Sequence, residues 1–272
     1  MGRKIDDLFS GLGRVMNGFI ICFLIIPLVV TSLMAFDARP YLGPLPPPAL
    51  STRWFSKFFS DDYFLRGLGV SLKLALLSVC LSVCIGVITA VALDRSNSRA
   101  RELMTSLFLS PLIVPPVVTG FAILIFLSKL GVVNGFARLL CGHLIITIPY
   151  TIRATLNGVL GIDKSLTEAA LTLGARERHA FWDITFPLAR TGILCGGIFA
   201  FVVSLDDVAI SIMLTDAKTY TLPVALVSSM RANFDLTLAA VSVLLTGLTL
   251  ALIFVLEKTV GLNQVIGQGT FR

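Results

Sequence analysis

Long apolar runs alternate along the chain with short segments that collect the polar and charged residues. A helix that crosses a bilayer needs about 20 mostly apolar residues, and six runs reach that length. The predicted spans are Val15–Phe36, Leu68–Leu93, Leu103–Ser128, Val132–Leu156, Thr191–Leu214 and Leu236–Leu256. The pattern predicts an all-α, polytopic membrane protein with a single transmembrane domain over residues 1–272.

Composition supports the membrane assignment. Of the 272 residues, 56% are hydrophobic and 14% are charged, and the mean hydropathy is +0.90. Soluble domains carry charges on about a quarter of their residues. The net charge of +6 fits basic residues that gather on the inner side of a membrane, so no nucleic-acid partner is expected.

The basic residues also predict the orientation. With the N-terminus inside, more of the 22 Lys and Arg residues fall on the inner side than on the outer side, as membrane proteins prefer. The clearest signal is the short link Asp94–Glu102, which is rich in arginine. Both termini are therefore expected to be cytoplasmic. The segment 37–67 is then an outer loop, whose amphipathic run Trp54–Phe59 is expected to lie along the membrane surface.

Two spans carry small residues at helical spacing, which predicts faces where helix backbones approach closely. The small residues are Ser78, Ser82, Gly86 and Ala90 in the second span and Gly192, Gly196, Ala200 and Ser204 in the fifth. Prolines, which bend helices, occur in the third and fourth spans.

The loop at about 158–188 is unusually charged for this chain. Ser165 and Glu168 have the spacing of a capping box, which predicts a short helix beginning at Ser165. Gly174 is a plausible end of that helix, and a second short helix is expected at about 175–182 before Pro187 starts the next span. The small face of the first helix suits docking into another protein, although a solvated connection has the same composition.

Two adjacent acids, Asp206 and Asp207, interrupt the fifth predicted span. An aspartate at the centre of a membrane helix costs about 2.5–3.5 kcal/mol. One interpretation is cation attraction in a translocation pathway, with Tyr150 and Thr151 as further candidates. The other is a structural hydrogen bond or ion pair to a neighbouring helix.

No catalytic constellation is evident. The five cysteines lack metal-ligand spacing, so no metal site is expected. His143 is interpreted as a packing histidine. A Walker A motif is absent from the sequence, so the chain is not itself an ATPase.

The segment EAALTLGARERHAFWDITFP resembles the EAA loop of binding-protein-dependent ABC importer permeases. The matching positions are Glu168, Ala169, Ala170, Gly174, Ile184 and Pro187, whereas Phe186 stands where the family usually has Leu. Two further segments, Pro111–Leu124 and Phe199–Leu214, resemble the spermidine/putrescine permease group. Related permeases for aminoalkyl-phosphonates, opines or ferric iron share similar segments.

This resemblance implies the type I importer fold, with six spans and a cytoplasmic coupling helix, in the bacterial inner membrane. It implies that the matched residues contact an ATPase subunit, with Arg176 at the rim. The implied partners are two ATPase subunits that bind ATP and Mg²⁺, a second homologous permease and an extracytoplasmic solute-binding protein. The implied solute is cationic or amine-bearing, such as a polyamine.

A self-contained secondary transporter or cation channel, with Asp206 and Asp207 as its ion site, is the alternative. The chain shows no internal repeat, which such carriers often contain. An intramembrane enzyme is a third hypothesis, but the sequence offers no paired catalytic groups for it.

Overall fold

A computed structural model describes residues 2–96, 98–232 and 234–260, which fold almost entirely into helices. The helices are α1 (Gly2–Ala35), α2 (Arg53–Ser60), α3 (Asp62–Arg95), α4 (Ser98–Leu109), α5 (Pro116–Lys129), α6 (Gly135–Leu160), α7 (Lys164–Thr172), α8 (Glu177–Ala180), α9 (Phe186–Asp206), α10 (Ser211–Leu214), α11 (Leu222–Ala232) and α12 (Thr237–Val260). A 3₁₀ turn, Ser110–Leu112, follows α4, and a π-helical turn, Phe181–Thr185, joins α8 to α9.

Five helical segments of the described chain are long and apolar enough to cross a membrane. They are Leu12–Ala35, Asp62–Arg95, Gly135–Leu160, Glu177–Asp206 and Thr237–Val255. The third predicted span, Leu103–Ser128, is not one straight helix, because Ser98–Leu112 and Pro116–Lys129 meet at 93°. Pro115 has an extended ψ of 127°, as expected for a residue that precedes another proline. The six predicted spans are confirmed if this bent pair counts as one.

The fifth predicted span, Thr191–Leu214, is wrong at its C-terminal end. The helix stops at Asp206, and Asp207 takes an extended conformation with ψ 124°. A second piece of helix, α10, follows only after this break. The cause lies in side-chain hydrogen bonding by Asp207, described below.

Two compact units divide the chain. One contains the described residues up to Asp62 together with Ser228–Leu248. Its core brings together Ala35, Trp54, Leu236 and Ala240, and the Trp54 indole N–H donates to the Asp37 carbonyl at 2.8 Å. The amphipathic run in the predicted outer loop is therefore a helix, α2, that buries its Trp54 face. The single domain over 1–272 stays a prediction.

The other unit contains Tyr63–Val227 and the described residues from Thr249 onward. Its core packs α3, α5, α6 and α10 through seven buried residues: Leu74, Ile123, Leu127, Leu139, Ile146, Ile210 and Leu214. Both predicted small-residue stripes face inward: Ser78, Ser82, Gly86 and Ala90 of α3 and Gly196, Ala200 and Ser204 of α9 are buried, and Gly192 is half-buried. A methyl group added at Gly196 would lie 3.0 Å from the Thr151 Cα of α6, so the stripe of α9 lets the two backbones touch.

Candidate functional site

The EAA helix, α7, begins at Lys164 rather than Ser165. Its N-cap is Asp163, whose carboxylate accepts the Ser165 backbone N–H at 3.0 Å. Hydrogen bonds from the amide and hydroxyl of Ser165 lower the pKa of Asp163. The predicted capping box of Ser165 and Glu168 is therefore wrong, because an acidic cap two residues upstream satisfies the amide first.

Gly174 ends the EAA helix as predicted. Its φ is +90°, a conformation that glycine adopts without a steric penalty. The Gly174 N–H donates to the Leu171 carbonyl at 3.0 Å, and the Ala175 N–H donates to the Ala170 carbonyl at 3.0 Å. This pair of bonds is a Schellman motif, which fixes where the chain turns after the helix.

The second short helix of the loop does not stop at 182. Helix α8 runs through the π-helical turn into α9, so Glu177–Asp206 forms one helical segment of 30 residues. The Phe186 N–H donates to the Phe181 carbonyl, which is the spacing of a π-helix. Pro187 falls in the first turn of α9, where a residue without an N–H is tolerated. Ile184 is half-buried in the π turn.

The EAA loop presents most of its matched residues at the surface. Glu168, Ala169, Gly174, Arg176 and Pro187 are exposed, and Ala170 is half-buried. Leu173, at the turn, is 89% exposed, and Leu166 and Leu171 are also exposed. The loop thus offers a small-residue helix with an apolar tip.

The chain between α9 and α10 is held by Asp207. Its carboxylate accepts the Ser211 N–H at 2.8 Å, the Ser211 hydroxyl at 3.0 Å and the Ile210 N–H at 3.4 Å. These bonds tie Asp207, just beyond the end of α9, to the first residue of α10 and to Ile210, the N-cap residue of α10. The Asp207 side chain is 10% exposed.

His143 of α6 completes this arrangement. It is fully buried, and its Nδ1 lies 2.7 Å from the Ser204 hydroxyl of α9, whereas its Nε2 lies 3.0 Å from the Ser211 hydroxyl of α10. The Asp207 carboxylate is 4.0 Å from Nε2. The interpretation of His143 as a satisfied packing histidine agrees with these contacts.

The other residues predicted for a substrate pathway differ in their surroundings. Asp206 is exposed, Tyr150 is half-buried and Thr151 is buried. The Thr151 hydroxyl lies 2.8 Å from the carbonyl oxygens of Ser82 and Ile148, so it serves the packing of α3 against α6. The assignment of Asp206, Asp207, Tyr150 and Thr151 to a substrate pathway stays a prediction.

Comparison with known proteins identifies the family. Residues 82–268 match the family model "Binding-protein-dependent transport system inner membrane component". The chain belongs to this family. It is thus a permease subunit of an ABC importer, a multi-pass inner-membrane protein and a transporter component rather than an enzyme.

Curated relatives of this permease are named for polyamine transport. It is 26% identical to the spermidine/putrescine transport system permease protein PotC of Shigella flexneri, over 95% of this chain and 98% of that protein. It is 28% identical to the putrescine transport system permease protein PotI of Escherichia coli K12, over 72% of this chain and 73% of that protein. The molybdate/tungstate transport system permease protein WtpB of Pyrococcus abyssi is 27% identical, over 84% of this chain and 92% of that protein.

Solved structures show the same fold. A bacterial ABC transporter that imports the acidic polysaccharide alginate matches with a TM-score of 0.71 at 17% identity, over 94% of this chain and 97% of that chain. The MetNI methionine ABC transporter, in an inward-facing conformation, matches with a TM-score of 0.59 at 18% identity, over 73% of this chain and 94% of that chain. The type I importer permease fold predicted from the sequence is confirmed.

Three sets of contacts in these sites were not predicted from the sequence. The cap Asp163 follows an isoleucine and precedes the motif, and a search for Ser, Thr, Asp or Asn before the helix would have found it. Arg95 lies 2.7 Å from Glu177, and His143 meets two serines more than 60 residues away. No local pattern predicts such distant pairings.

Proposed function

We propose that this permease forms half of the translocation pathway of an ATP-driven importer for a polyamine or a similar small amine-bearing cation. The observation that carries the proposal is the full-length similarity to a permease named for spermidine and putrescine transport. The relative named for molybdate and tungstate raises an oxyanion as a second candidate. An exposed acid, Asp206, at the end of α9 favours a cation, because a carboxylate repels an anion in a low-dielectric pathway.

The EAA loop is proposed to dock on an ATPase subunit. Its helix is capped at both ends, so it is stiff enough to transmit a displacement, and its small face allows a close approach. The coupling surface consists of Glu168, Ala169, Ala170, Gly174, Arg176, Ile184 and Pro187. The exposed leucines at the turn, above all Leu173, add the apolar contact that a stable interface requires at its centre.

The complete importer is proposed to contain two such ATPases, which supply ATP and Mg²⁺, a second homologous permease and an extracytoplasmic binding protein. A solved structure of the alginate transporter contains a periplasmic protein with bound alginate pentasaccharide, which supports the last partner. Each ATPase would act on one permease through its EAA loop.

The EAA loop and both termini are proposed to lie in the cytoplasm. The ion pair of Arg95 with Glu177 supports this orientation, because it brings the arginine-rich link after α3 to the same side as the EAA loop. Both segments carry several basic residues, as cytoplasmic loops do.

Reconstitution in proteoliposomes tests the proposal. The permease, its partner permease and the ATPases are supplied with external binding protein, and uptake of radiolabelled putrescine, spermidine and molybdate is measured with and without internal ATP. We expect ATP-dependent uptake of a polyamine and none of molybdate. Uptake of molybdate alone would overturn the cationic solute, and uptake that needs no ATPase would favour a self-contained carrier.

A further inference from the structure

The two adjacent acids at the end of α9 lie in different environments. Asp207 is nearly buried and accepts three hydrogen bonds from α10 and the residue before it. Asp206 is exposed, and its carboxylate makes no hydrogen bond or ion pair within the described part of the chain. Asp206 is the last residue of α9, whereas Asp207 lies beyond the helix in an extended conformation, so the two neighbours have different surroundings.

The Asp207 side is fixed by a continuous polar chain. It runs from Ser204 through the two ring nitrogens of His143 to Ser211, and from there to the Asp207 carboxylate. Ser204, His143 and Ser211 are each at most 2% exposed. Because a buried polar group without a partner is costly, such a chain has one satisfied arrangement and resists opening.

Packing around the break adds to its rigidity. Ile210 and Leu214, on either side of Ser211, are fully buried. A methyl group added at Gly120 of α5 would lie 3.1 Å from the Ile210 Cα, so the restarting helix sits directly on the α5 backbone. The end of α9 is therefore held in place from α5 and α6.

We propose that the two acids have separate tasks: His143, Ser204, Ser211 and Asp207 form a structural clasp that fixes the end of α9, and Asp206, presented by that clasp, is the acid that meets the cationic solute. His143 is then a positioning residue that acts through α9 and does not touch the solute. This inference rests on the proposed import of an amine-bearing cation.

The test compares four variants of the reconstituted importer. Asp206→Asn, Asp207→Asn, His143→Ala and His143→Gln are measured for putrescine uptake at saturating binding protein, for stimulated ATP hydrolysis and for melting temperature. We expect Asp206→Asn to lower uptake about ten-fold, with the melting temperature unchanged, because the clasp is intact.

The clasp variants should behave differently. Asp207→Asn and His143→Ala should lower the melting temperature, and uptake and ATP hydrolysis should fall together. His143→Gln should keep the melting temperature, the uptake and the ATP hydrolysis closer to wild type than His143→Ala does. The glutamine amide can donate a hydrogen bond to one serine and accept one from the other. If His143→Ala does not fold, the comparison of Asp207→Asn with His143→Gln still decides the point.

Three outcomes overturn the inference. These are normal putrescine uptake by Asp206→Asn, a melting temperature of Asp206→Asn as low as that of Asp207→Asn, or an unchanged melting temperature of Asp207→Asn. A wrong assignment of the solute gives a different result, because the wild-type importer would then take up no polyamine. The melting temperatures of the variants would still test the clasp.

Discussion

The Arg95 guanidinium lies 2.7 Å from the Glu177 carboxylate, which joins the last residue of α3 to the first residue of α8. Both side chains are more than half exposed, at 56% and 69%. A double-mutant cycle with Arg95→Gln and Glu177→Gln should therefore give a coupling energy of at most about 1 kcal/mol. Measured by thermal unfolding in detergent, this coupling should vanish at high salt; a coupling that persists there would mean that the pair is shielded from water.

The N-cap of the EAA helix can be tested by comparing two neighbours. Asp163→Ala removes the acceptor of the Ser165 N–H, so amide exchange in the first turn of α7 should accelerate. Ser165→Ala, the control, leaves that acceptor in place and should change exchange much less. Hydrogen–deuterium exchange with mass spectrometry measures both. Equal acceleration of exchange in the two variants would contradict Asp163 as the main cap and would favour the capping box of Ser165 and Glu168.

Gly174→Ala should destabilise the EAA loop through backbone strain alone. No heavy atom lies within 4 Å of an added methyl group, but φ is +90°, and an L-residue there costs about 1–2 kcal/mol. Gly131, with φ +74° and the same free space, provides a matched control outside the EAA loop. Co-purification of the ATPase should fall for Gly174→Ala and stay normal for Gly131→Ala; equal loss in both would assign the effect to general instability.

The contact of α6 with α9 predicts a sharp difference between adjacent glycines. A methyl group at Gly196 would meet the Thr151 Cα at 3.0 Å, whereas one at Gly197 would meet a Val83 methyl group at 3.3 Å. Backbone atoms cannot rotate away, so Gly196→Ala should destabilise the protein by about 1–3 kcal/mol. Gly197→Ala should be close to neutral. Thermal unfolding of the two variants measures the difference, and similar melting temperatures would show that α9 can shift.

Asp235 should make stability dependent on pH in the acid range. Burial raises its pKa, but hydrogen bonds from the Lys57 ammonium and from Thr237 outweigh that effect, so the pKa is lowered overall. A carboxyl whose pKa is lower in the folded state stabilises above its unfolded pKa of about 4, and this contribution is lost as the pH falls through the folded pKa. The melting-temperature difference between wild type and Asp235→Asn should therefore be present at neutral pH and disappear in acid.

The same difference at all pH values would exclude the carboxylate of Asp235 as the cause. Lys57→Met gives the matched control, because it removes the ammonium partner and should reduce the difference at neutral pH.

Apolar run length was sufficient to predict the membrane spans, because the bilayer imposes that length on any crossing helix. It could not predict where a helix breaks. Pro115 and Pro116 signalled a bend, but their positions in the sequence do not give its angle of 93°. Asp206 and Asp207 marked the fifth span as unusual, but the position of its break depends on the amides of Ser211 and Ile210 that bind the Asp207 carboxylate.

The EAA loop was predictable because its signals are local. Gly174 lies directly after the EAA helix, and all matched positions of the EAA motif lie within one short segment. The contacts of His143 could not be predicted, since its partners lie 61 and 68 residues further along the chain. Hydrogen bonds of that separation exist only after α6, α9 and α10 have packed.

The π-helical turn has a mechanical consequence. Because the π-helical turn continues the helix through Pro187, the 30 residues of Glu177–Asp206 form one helical segment about 45 Å long. One end adjoins the coupling surface that is proposed to meet an ATPase subunit, and the other ends at the Asp206 carboxylate. A tilt of ten degrees about one end would displace the other by roughly 8 Å over that length, far enough to change the width of the solute passage proposed for this permease.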